Sequence, residues 1–129
     1  MNTKLLMGAS ALTMAALGVA GSFLPREFLV SIDIAPAGIM PAVIQLHAAL
    51  LLGFAMVNWM AKDSLIGGIY NRPVAVGNLL HFASGAIALG KFVFGRAVPP
   101  FAIIAAIVYV AFAVGFAIVV FGSPVKVQS

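Results

Sequence analysis

His47, Asn58, Asn78, His81, Ser84 and Lys91 are the residues of this chain with chemistry to offer, because each stands within or at the edge of a stretch otherwise built from apolar side chains. Imidazoles, amides and ammonium groups in such a setting are costly. They point to hydrogen bonding between helices, to contact with a ligand or ion, or to proton transfer. The stretch "NRPVAVGNLLHFASGAIALGK", Asn71 to Lys91, holds most of them. Placed on a helical wheel at about 100° per residue, Asn78, His81, Ser84 and Lys91 share a sector of roughly 140° with Gly77, Gly85 and Ala88. Leu79, Leu80, Phe82, Ala83, Ile87 and Leu89 fall outside it. The expectation is a polar, small-residue face turned inward and a leucine and phenylalanine face turned to lipid. Small residues let backbones approach, and interhelical hydrogen bonds then satisfy the polar groups.

Partners for this face are expected on the preceding apolar stretch, where His47 and Asn58 are eleven positions apart and share a face while Gln45 points nearly the opposite way. Counting helical rise, Asn58 and Asn78 lie at one boundary and Lys91 with Gln45 or His47 at the other, which leaves His81 nearest the middle. The candidate binding pocket is therefore His81, Asn78, Ser84 and His47. Three roles stay open for His81: a helix–helix hydrogen bond, contact with a quinone-like or lipid-like ligand, and proton relay. Lys91 reads as a side chain snorkelling to the headgroups. A bis-histidine haem is disfavoured by an axial gap between His47 and His81 on the order of 10 Å.

The chain has no cysteine, no carboxylate inside an apolar stretch and no Glu-x-x-His pair, so neither a thiolate nor a carboxylate metal site is expected. Glycine-rich nucleotide loops, a P-loop and a G-x-S-x-G elbow are all missing, and no catalytic residue is assigned. No arginine series lies within a span, which excludes a voltage sensor. Nothing in these residues names a cofactor.

The elements that must position these groups follow from composition. Of 129 residues 64% are apolar and 8% charged, whereas a soluble domain is about half apolar and about a quarter charged. A hydrocarbon core about 30 Å thick needs about 20 helical residues. Four stretches of that length, 5–24, 40–61, 73–91 and 101–122, use most of the chain as one transmembrane domain covering 1–129. The expected fold is all-α, an integral membrane four-helix bundle with up-down topology. The first stretch, with Lys4 ahead of it and Gly18 and Ala20 near its end, imitates a secretory signal. A retained helix is the expectation. Between the first two spans, "PREFLVSIDIAPAGIMP" alternates apolar and polar from Val30 to Ile34, which reads either as an interfacial segment or as a loop packed on the rim.

The formal net charge of +4 is spread over the connections. Such thin spacing suits membrane topology and anionic headgroups and does not suit nucleic acid. With Lys4, Lys62, Arg72 and Lys126 on one side and Arg26, Lys91 and Arg96 on the other, the positive-inside rule favours cytoplasmic termini. In the turn between the second and third spans, Gly67, Gly68 and Asn71 permit a tight connection and Tyr70 reads as an interface aromatic, as Trp59 does at the end of the second span. Asp63 is expected either to cap a helical turn there or to pair with Arg72.

The hairpin "IQLHAALLLGFAMVNWMAKDS" followed by "NRPVAVGNLLHFASGAIAL" resembles the central hairpin of small bacterial four-helix membrane proteins of the broad DoxX-like group, over about half the chain. That resemblance implies a multi-pass protein of a bacterial inner membrane, in some members an accessory subunit of a quinone-linked redox complex. The lack of cysteine and of intramembrane acids departs from the redox-linked members and argues against electron transfer. The function expected is a non-enzymatic accessory or scaffold subunit, embedded in the lipid bilayer as a homo-oligomer or as part of a larger membrane complex. The alternative is an intramembrane binding protein for a quinone, isoprenoid or lipid.

Overall fold

The computed structural model describes residues 2–64 and 71–122, and among these the regular secondary structure is all helical, without strands. In chain order the helices are α1 (Thr3–Phe23), α2 (Pro25–Ser31), α3 (Met40–Ala61), α4 (Arg72–Phe94) and α5 (Pro100–Phe121). Gly67, Gly68, Tyr70 and Lys126 lie outside the described residues.

Four of these helices, of 21, 22, 23 and 22 residues, are apolar and long enough to cross a membrane. At about 1.5 Å per residue each reaches or exceeds a hydrocarbon core about 30 Å thick. Proline sets where they begin. Pro25, Pro41, Pro73 and Pro100 each occupy the first or second position of a helix. There the missing N–H would have had no intrahelical partner, and the fixed φ is already helical. Between α2 and α3 the chain reverses through left-handed backbone at Asp33 (φ 58°) and Gly38 (φ 60°). Glycine takes that region freely, and a short polar side chain tolerates it.

The segment read as interfacial or as a loop packed on the rim opens with a short helix instead of an extended alternation. Pro25 starts a helix that continues through Ser31, and it buries Leu29. Alternation over five residues is too short a signal to outweigh a proline-initiated turn.

The chain divides into two compact units. Met7–Met60 holds most of α1, all of α2 and nearly all of α3. In this unit α1 and α3 pack antiparallel, since Ser10 meets Asn58 near one end and Ser22 meets Gln45 near the other. Their facing residues repeat every three or four positions: Met7, Ala11, Met14 and Gly18 on α1, and Ala48, Leu51, Ala55 and Asn58 on α3. That spacing keeps one narrow stripe in contact along a helix pair. The approach is close because the residues are small. A Cβ added at Gly18 would stand 2.7 Å from Leu52 Cγ, and one at Gly21 would stand 2.9 Å from the Cβ of Ala48. Between helices in lipid, such packing contacts replace the hydrophobic driving force that water would supply.

The second unit comprises Met1–Leu6 and Ala61–Ser129, with the antiparallel pair α4 and α5 joined by a short connection. Its centre is Phe82, fully buried. The Phe82 ring stacks on Phe112 at 4.7 Å and on Phe116 at 5.8 Å between centroids, and meets Tyr109 edge-on at 5.1 Å. Residues 109, 112 and 116 recur at helical spacing, so one face of α5 supplies all three rings. The opposite side of α5 exposes Ile103, Ile107, Val110, Val114 and Ile118. In a bilayer that surface meets acyl chains without penalty. The amino-terminal segment joins this unit through Leu6, which fills the space beside Gly115.

Candidate functional site

Phe82 belongs to the core of α4, not to a lipid-facing side, and this rotates the buried face away from the one that polarity alone indicates. The buried residues Ala75, Asn78 and Phe82 lie within about 60° of one another on the wheel. Gly85 flanks them. Ser84, Ala88 and Lys91, on the other side of the polar sector, are exposed. The expected polar face is therefore split, with Asn78 inside, Ser84 outside and His81 at the border between them.

Each candidate residue has a definite place. Asn78 is fully buried, and its Nδ2 donates to the backbone oxygen of Val74 one turn back on its own helix at 2.9 Å. His81 is half-buried, and its Nε2 shares a hydrogen bond of 3.3 Å with the hydroxyl of Tyr109. The imidazole tautomer determines which atom donates. The two rings lie 5.5 Å apart, and His81 also meets Phe82 edge-on at 5.1 Å. Ser84 is exposed on the same helix. His47 is exposed on α3 and belongs to the other compact unit. The structure thus brings His81 together with Tyr109 of α5, a residue outside the four candidates.

Gly85 makes the His81–Tyr109 contact possible. A Cβ at that position would stand 2.5 Å from Cδ1 and Cε1 of Tyr109, so the phenol ring lies directly on the backbone of α4. The ring can then extend its hydroxyl one helical turn back to His81.

In the α1–α3 unit the polar groups form a second cluster. Asn58, fully buried, donates through Nδ2 to Ser10 Oγ at 3.0 Å and approaches the sulfur of Met14 at 3.7 Å. Ser10, also fully buried, donates to the backbone oxygen of Met7 at 2.9 Å. At the far end Gln45 donates to the Ser22 carbonyl at 3.2 Å. Among the described residues no buried side-chain nitrogen or oxygen lacks a hydrogen-bond partner. Ser10 escaped the sequence reading because serine is common in membrane helices and its partner is 48 residues away. An apolar groove on this unit, lined by Ala11, Leu12, Ala15, Leu52, Ala55, Met56 and Trp59, contains none of the four candidate residues.

The third polar cluster is ionic. Asp63 accepts from Lys4 at 2.6 Å on one carboxylate oxygen and from Lys62 at 2.7 Å on the other. This arrangement occupies the carboxylate that was expected to cap a turn or pair with Arg72. The Lys4 ammonium first, and Lys62 second, hold the Asp63 carboxyl at about 2, below its ordinary 3.8. Among the described residues no group of three or more His, Asp or Glu side chains is placed to hold a metal ion.

No protein-family model, curated protein or solved structure matches this chain. What it is similar to is therefore left to the residues themselves.

Proposed function

We propose that this chain is a non-enzymatic integral membrane protein, a four-helix bundle that acts as an accessory or scaffold subunit through helix–helix packing, either with copies of itself or within a larger membrane complex. The observation that carries this reading is how its polar side chains are used. Asn58 with Ser10, Gln45 with Ser22 and His81 with Tyr109 each join one helix to another. Bonds of this kind contribute about 0.6 to 2 kcal/mol each in lipid. They fix register and orientation between helices whose outer surfaces are apolar. The cations Lys4, Lys62 and Arg72 stand at the ends of these helices, which supports an orientation with the amino terminus cytoplasmic.

Native mass spectrometry of the protein released from mild detergent tests this reading, because one spectrum reports subunit count and bound small molecules. A defined homo-oligomer or hetero-complex is expected, with assembly weakened in Asn78→Leu and His81→Leu. Unchanged melting and oligomeric state in both variants would overturn it.

A second reading has one observation in its favour. His81 is half-buried and Ser84 exposed, so α4 presents polar groups at the outer border of its packed face. An intramembrane ligand such as a quinone, isoprenoid or lipid could meet them there. A discrete adduct retained by the wild type and lost in His81→Leu without unfolding is the outcome that selects this reading.

A further inference from the structure

We draw no further inference here: the strongest candidate, the apolar groove between α1 and α3 lined by Ala11, Ala15, Ala55 and Trp59, carries none, because nothing in the structure shows what covers it.

Discussion

Tyr109 rests its ring on the backbone of α4 at Gly85, close enough that any side chain there would stand 2.5 Å from two of its ring carbons. The same tyrosine reaches His81 with its hydroxyl and Phe82 with its edge. One glycine thus holds together the polar contact and the aromatic core of the α4–α5 pair. Gly85→Ala is expected to push the ring away and destabilise the protein by about 1 to 3 kcal/mol, the usual cost of overpacking. Tyr109→Phe keeps the ring and removes only the hydroxyl, at about 0.6 to 2 kcal/mol. Unfolding in detergent, followed by circular dichroism, ranks the two. A Gly85→Ala protein as stable as wild type would mean that the ring does not lie on that backbone.

Asn58 and Ser10 offer a direct measure of what one buried polar contact contributes across the α1–α3 seam. Both are fully buried and separated by 3.0 Å. Asn58→Leu and Ser10→Ala should each destabilise, and the double variant should recover part of the summed loss. A coupling of about 0.6 to 2 kcal/mol is expected from a double-mutant cycle. Strict additivity would show that the two side chains act independently.

The chain's four apolar helices were legible because length and composition decide them. The expected span 40–61 coincides with α3, and the others differ from their helices by no more than a few residues at either end. The rotation of α4 about its own axis was not legible in the same way. Polarity is a guide to burial in water, where apolar groups are driven inward, yet in lipid a phenylalanine is as content outside as inside. Phe82 is internal because Phe112, Phe116 and Tyr109 happen to line the facing helix, a pairing that only the tertiary structure reveals. On α3 the sequence reading placed His47 and Asn58 on one face, whereas the buried stripe is Ala48, Leu51, Ala55 and Asn58, and neither it nor its partner stripe on α1 could be told from other small-residue rows. Of the candidate site, His81 and Asn78 were picked out by being polar in an apolar stretch, and the same signal does not distinguish buried Asn78 from exposed Ser84.

Asp63 gives the fold an acid-sensitive point. Its folded value of about 2 lies below the ordinary 3.8, so the ionised form is the one that folding favours. The stabilisation is fully present above pH 3.8 and is lost as pH falls through about 2. Because Asp63 is exposed, the effect is small and screened by salt. Melting of wild type should decline between pH 4 and pH 2 more than that of Asp63→Asn, with the difference reduced at high ionic strength. Parallel pH curves for the two proteins would show that the lysine contacts do not persist in solution.

Asn78 and Ser84 test the split of the polar face. They were grouped by sequence on one inward sector, and the structure buries the first while leaving the second exposed. Asn78→Leu places a branched apolar side chain where a planar amide packs and donates to Val74, and about 1 to 3 kcal/mol of destabilisation is expected. Ser84→Leu adds apolar surface on a side that faces lipid, where leucine is favoured over serine. Its stability should equal or exceed that of wild type. Denaturation by SDS from mixed micelles separates these outcomes, since both variants carry the same new side chain on different sides of the same helix. Equal losses in the two would restore a polar face turned wholly inward, and the buried stripe through Ala75, Asn78 and Phe82 would then have to be redrawn around Ser84.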